Sequence, residues 1–302
     1  MKNKTRKQHF VPRCLSKNFS TKEGFIFRFD KETGEIIKTN IKDLYAERDF
    51  YTFYKNAIME DFFSQTIENK CAIVLQKVVK EISLQNLTEE DIERLFAFCV
   101  VQHQRTSVMR EAIEKIEHKV LKVTLDLLND QDKLKDKPEG IKLEDIQIHI
   151  DPEHIKYIQA NNLLKNFSGL IKAIKFNKNL YLLYAKQGTY YLGDHPLVMH
   201  QSHPIFPYGS YGYMVPHIEI YCPLSSKVTL AVLDKNLPLT KRHPNKSLLL
   251  MDQTRVDFLN RLQVGWASRY IASVEENFLL AQDFLLRHPD YKTISEGRLS
   301  ID

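Results

Sequence analysis

The chain of 302 residues is 43% hydrophobic and 27% charged, which excludes collagen-like, wholly disordered and disulfide-scaffold classes. Its 43 Lys and Arg against 38 Asp and Glu leave a formal charge of +5. That excess sits in the first 13 residues, where Lys2, Lys4, Arg6, Lys7 and Arg13 meet no acid; the balanced remainder excludes a uniformly basic nucleic-acid coat and leaves room for a local basic entrance.

In chain order, the alternating segments 25–30 and 35–40 flank Lys31-Glu32-Thr33-Gly34 and predict a β-hairpin, with glycine where positive φ is cheap. The aromatic-rich stretch 43–56 reads as an ordered loop, because its rings need packing partners. A helix is expected over 58–82, with Phe63, Ile67, Cys71, Val74, Val78 and Ile82 at helical spacing. A second opens at the N-cap Thr88, followed by Glu89-Glu90-Asp91, and runs to about residue 128, a length at which a kink or break is expected. Residues 129–153 read as an exposed connection with a short strand over 146–150, and a third helix over 154–176 follows Asp151-Pro152. Strands are expected over 179–186, 189–193, 217–224 and 227–234, with a Pro/Gly/Tyr-rich loop over 200–216. Helices over 254–264 and 275–286 close the chain. This order predicts an α+β fold in one domain, a long-helix bundle packed with antiparallel sheet elements. Its parts are the hairpin 25–40, a helical part 57–176, a sheet-rich part 179–234 and a helical C-terminal part 253–287.

No run reaches the roughly 18 apolar residues of a membrane-spanning helix, and no apolar stretch follows the basic start to make a signal peptide. Cys14, Cys71, Cys99 and Cys222 form no CxxC pair, as expected of reduced, mostly buried thiols in a cytoplasmic protein.

The second long helix carries the most informative feature. Leu95, Phe98, Met109, Ile113, Ile116, Val120 and Leu127 share one face at 100° per residue, and Gln102 and Arg105 interrupt that stripe. A buried guanidinium needs a partner. It either forms an internal ion pair or binds an anion and stabilises a transition state. Glu68 and Glu60 on the preceding helix are the acids available, as ion-pair partners, general bases or metal ligands. If Glu68 and Arg105 form a buried pair, removing either alone costs about 3–5 kcal/mol. His9, between basic residues and Phe10-Val11, titrates near neutral pH and suits an acid, a base or a metal ligand, or is a surface residue near a chain end. Asp194 stands at a strand end in the GDHP segment (193–196), beside His195, His200 and His203, a group that can hold a transition metal or simply form turns. No phosphate loop, dinucleotide fingerprint or nucleophile elbow is present.

Taken together, QHFVPRCLSKNFS at the start, AERDFY (46–51), EDFFSQTIE (60–68), QHQRT (102–106), GDHP, CPLSS (222–226) and Asn260 with RYIAS (269–273) resemble, in the same order, the blocks of the family catalogued as domain of unknown function 4238. The resemblance implies a shared fold and a polar centre at His9, Glu47, Glu60, Glu68, Gln102, Arg105 and Asp194. It implies no activity and no cofactor. Gly193 stands where the family usually has serine, so a serine nucleophile is untenable there.

Two classes of function follow. One is a hydrolase acting on an anionic substrate such as a phosphodiester, in a nucleic acid or a nucleotide. In it His9, Glu68, Arg105 and Asp194 are catalytic, Gln102 and Arg13 bind substrate, and a divalent metal is held with Glu60 or His195 as further candidates. The other is a non-catalytic binding or sensor module with a structural buried polar network, whose aromatic loop (Phe206, Tyr208, Tyr211, Tyr213) contacts a partner. Convergence of the named side chains on an open cleft favours the first. An Arg105 sealed from solvent favours the second.

Overall fold

The computed structural model describes residues 6–54, 58–131, 146–202 and 212–293, except for the side chains of residues 66–68. Within the basic N-terminal segment lies the strand β1 (Lys7–His9), after which come the short helix α1 (Arg13–Ser16), the hairpin strands β2 (Phe25–Asp30) and β3 (Ile36–Asn40), and β4 (Ala46–Arg48), which pairs antiparallel with β1. In the expected hairpin, Gly34 takes φ +76° and donates its N–H to the Asp30 carbonyl at 2.8 Å, a conformation a side chain would strain.

The first long helix comprises α2 (Ile58–Phe63), a π-helical stretch (Ser64–Cys71) and α3 (Ala72–Glu81). Next, α4 (Glu89–Gln104) starts from a capping box, with the Asp91 N–H on Thr88 Oγ1 at 3.1 Å and the Thr88 N–H on Asp91 Oδ2 at 3.2 Å. The helix breaks at Arg105 and Thr106 and restarts as α5 (Ser107–Asp130), Thr106 being fully extended. The break changes the fate of the apolar stripe. Leu95 and Phe98 are buried, whereas Ile116 and Leu127 are 42% and 54% exposed, because α5 leaves in a new direction. α6 (Pro152–Asn177) then packs on α4 and α5, with the Asp151 carboxylate capping the Glu153 N–H at 2.9 Å. Residues 146–150 form no strand.

The remaining elements are β5 (Lys178–Ala185), β6 (Leu192–Gly193), β7 (Val198–His200), β8 (Glu219–Pro223), β9 (Val228–Asp234), α7 (Pro238–Arg242), β10 (Leu248–Met251), α8 (Gln253–Trp266), β11 (Tyr270–Ser273) and α9 (Leu279–Arg287). One sheet has the order β10-β5-β9-β8-β7, and a second, antiparallel, has the order β3-β2-β11-β6. The expected strand over 189–193 thus shrinks to two residues and joins the hairpin's sheet. The larger sheet is mixed, since β10 runs parallel to β5. Its register places Glu219, Tyr221, Leu233, Leu183 and Leu249 on one face, and Cys222, Leu230, Val232 and Leu182 on the other. The second face meets the helices, with Cys222 in electrostatic reach of Cys99 on α4. At the sheet's end Lys178 Nζ meets Asp234 Oδ2 at 2.8 Å, both side chains sealed from solvent.

The fold is α+β with a helical C-terminus. Among the described residues no helix is long and apolar enough to cross a membrane. Three of the four cysteine thiols are buried and Cys14 is half-buried.

Candidate functional site

The end of α4 meets the N-terminal strand. Gln102 Nε2 donates to the Phe10 carbonyl at 3.0 Å. Arg105 donates from Nη2 to the His9 carbonyl and from Nε to the Tyr51 hydroxyl at 2.8 Å. The Tyr51 hydroxyl in turn donates to the Arg105 carbonyl at 3.2 Å. The guanidinium carbon stands 4.4 Å from the centre of the Phe63 ring and 5.3 Å from that of Tyr51. Arg105 is 5% exposed and Gln102 is fully buried. Among the described residues, therefore, a phenol, a carbonyl and two ring faces surround the buried cation, a set of acceptors that suits a planar guanidinium. Burial pushes the Tyr51 hydroxyl up to about 12, against the pull of Arg105.

The same clamp pattern continues outward. Gln8 Oε1 accepts the Tyr51 N–H at 2.6 Å. Arg110 donates from Nη2 to the Phe50 carbonyl and from Nε to Gln159 Oε1, each at 3.0 Å. Gln159 Nε2 donates to the carbonyls of Gln104 and Thr106 at 2.8 and 3.0 Å, and Lys156 Nζ to that of Asp49 at 3.1 Å. Burial lowers the pKa of both Arg110 and Lys156. Between these groups lies a crevice of about 10 Å³ lined by Tyr51, Gln104, Arg110 and Gln159, room for about one water. Sequence reasoning missed Arg110, Lys156 and Gln159. Gln159 carries the signal that marked Arg105, a polar residue between apolar ones one turn away, Ile155 and Leu163, both buried.

The imidazole of His9 is half-buried. Its Nε2 is 3.2 Å from the Lys42 carbonyl, which places the proton on Nε2 and leaves Nδ1 as the acceptor. Burial lowers its pKa, and the charges of Arg13, Lys7 and Arg105 act in the same direction, so the ring is neutral at pH 7. Arg13 is exposed at the start of α1, and Glu47 is exposed opposite Gln8. Glu60 is half-buried in the first turn of α2, within electrostatic reach of Tyr51. Glu68 falls in the π-helical stretch, its side chain outside the described residues. The basic segment is less bare than its composition implies: Arg6 pairs with Asp49 at 2.6 Å and Lys7 pairs with Asp43.

Asp194 occupies a different place. Its carboxylate accepts the backbone N–H groups of Ser268, Arg269 and Tyr270 at 2.6, 2.7 and 2.8 Å. The cation that acts on it is Lys31. Burial raises its pKa while the three N–H groups pull it down. The structure thus gathers His9, Gln102 and Arg105 in one place and ties Asp194 to the turn before β11. His195 stands between them, fully buried, with Nδ1 2.6 Å from Thr106 Oγ1 and its ring stacked 5.5 Å from that of Trp266. Beside it His103, pushed down to about 4 by burial, has Nδ1 2.8 Å from the Tyr213 hydroxyl. Tyr213 is therefore a packing residue. Phe206, Tyr208, Tyr211 and His203 lie outside the described residues. Among the described residues no three His, Cys, Asp or Glu side chains gather as a metal site, and Glu60 and His195 belong to no such group. At Gly193 a Cβ would come within 3.1 Å of Gln263 Oε1, the atom that accepts the Gly193 N–H.

A family model described as a protein of unknown function (DUF4238) matches residues 7–277. No curated protein and no solved structure matches the chain.

Proposed function

The chain belongs to the DUF4238 family, whose description assigns no activity, and from its residues we infer a non-catalytic binding or sensor module with a structural buried polar network. One observation carries this reading: three of the polar motif side chains, Gln102, Arg105 and Asp194, make hydrogen bonds with the backbone. Gln102 and Arg105 hold the carbonyls of Phe10 and His9, and Asp194 holds three successive N–H groups. A transition-state arginine has to reach the reacting group, and Arg105 is 5% exposed. The four thiols suit a reducing compartment such as the cytoplasm.

The test joins stability to turnover. Arg105→Ala leaves two acceptors without their donor, and an expected loss of about 2–6 kcal/mol in urea unfolding follows from ~1–3 kcal/mol for each unsatisfied buried group. The intact protein, with Mg²⁺ or Mn²⁺ and without, is expected to turn over neither RNA, single-stranded DNA nor nucleotides.

A second reading, a hydrolase of an anionic substrate such as a phosphodiester, draws support from His9. A neutral imidazole with Nε2 held by a carbonyl and Nδ1 left as acceptor is poised as a general base, beside the exposed cation Arg13. In that reading Arg13 binds substrate and Glu68 assists, whereas Gln102, buried on the Phe10 carbonyl, and Asp194, held by three backbone N–H groups, position the segments around them. Turnover by the wild-type protein that His9→Ala abolishes would establish it and overturn the first reading.

A further inference from the structure

A cavity of about 580 Å³ lies on the sheet face turned away from the helical core, within the size range of small-molecule sites, about 300–1,000 Å³. Strand register builds its floor, because Leu183, Leu233 and Leu249 project from β5, β9 and β10 to the same side. Phe258 and Leu259 of α8 form one wall, and Leu239 of α7 joins the lining. The rim carries Lys186, Arg255, His243, Asp252 and Glu219.

The rim charges are unequal in what they have left to offer. The Asp252 carboxylate caps α8 by accepting the Arg255 N–H at 2.9 Å. Glu219 accepts the hydroxyls of Tyr221 and Ser202. Among the described residues, in contrast, no hydrogen bond or ion pair engages the Lys186 ammonium or the Arg255 guanidinium. An apolar trough whose acids are occupied by neutral donors and whose cations are uncommitted complements an apolar body bearing a negative head.

We propose that this cleft binds a small amphipathic carboxylate, its hydrocarbon part on Leu183, Leu233, Leu249 and Leu259 and its carboxylate at Lys186 and Arg255. The assignment deepens the binding-module reading and rests on it, and it uses no residue of the polar network around Arg105. The head and the body are separable contributions. Removing the head's charge costs the interaction with two cations, whereas removing the cations leaves binding of a neutral chain intact.

Isothermal titration of the full chain with decanoate, decan-1-ol and decylammonium tests this. Saturable one-to-one binding of decanoate is expected, tighter than that of the alcohol and the amine. The double variant Lys186→Gln/Arg255→Gln, confined to exposed side chains, is expected to weaken decanoate by about tenfold or more and to leave decan-1-ol unchanged. No saturable binding of decanoate, equal or tighter binding of the amine, or decanoate affinity untouched by the double variant each overturns the proposal. Hydrolysis of a phosphodiester would overturn the module reading on other grounds and leave these titrations readable.

Discussion

At the scale of single residues, two of the molecule's buried charges are met by neutral groups. Arg105 is surrounded by acceptors and ring faces, and Asp194 by three N–H donors. A buried ion is tolerated when its hydrogen-bonding capacity is met. His103 is a titratable group that burial leaves uncharged. Burial lowers it to about 4 from an ordinary 6.5, so as pH falls through this interval the unfolded chain takes up a proton that the folded chain refuses. Its contribution to stability is complete above pH 6.5 and is lost as pH falls toward 4, amounting to about 3 kcal/mol at the acid limit. Urea unfolding at pH 7 and pH 5 should show this slope in the wild type and a flatter one in His103→Gln. Equal slopes in the two proteins would contradict the assignment. That a polar residue interrupts the apolar face at Arg105 was legible in the sequence. Its described partners were not, because a backbone carbonyl has no letter of its own; the side chain of Glu68, the acid the sequence offers, lies outside the described residues.

At the scale of elements, the parts with local signals were legible. Thr88 with Asp91, Asp151 before Pro152, and the alternation of 25–30 and 35–40 each mark a boundary by chemistry within a few residues, and each boundary stands. The two-residue β6 and the four-residue β10 and β11 offer too few positions for a periodic pattern, and the parallel pairing of β10 depends on a crossover through α7 that no local pattern records. A uniform 100° rotation extends the stripe from Leu95 to Leu127 straight through the break at Thr106, so the exposure of Ile116 and Leu127 is not legible in the periodicity. The sealed pair Lys178–Asp234 is not legible in the sequence for a related reason. The two residues are register partners at opposite ends of β5 and β9, and that follows only once the strands are paired. Lys178→Met leaves Asp234 buried beside an apolar chain and is expected to cost about 3–5 kcal/mol, whereas replacing both partners by apolar residues is expected to cost much less. Chemical denaturation of the single and double variants measures the difference, and equal losses would count against a buried pair.

At the scale of the whole molecule, side-chain bonds join distant blocks of the sequence. The N-terminal strand is held by Gln102 and Arg105, Thr106 meets His195, and Asp194 fixes the turn into β11. The net charge of +5 contributes less to this arrangement than its concentration in 13 residues implies, since Arg6 and Lys7 are already paired with acids. The carboxylate cleft lies on a separate sheet face, so binding there and folding here are open to separate perturbation. The central claim is that the motif residues clamp β1, and amide hydrogen exchange on Arg105→Ala tests it most directly. The Phe10 N–H, bonded to the Tyr45 carbonyl at 3.0 Å, is expected to lose protection by about tenfold or more, well beyond the loss at the central β9 amides. Protection at Phe10 equal to wild type would show that Arg105 does not hold the strand.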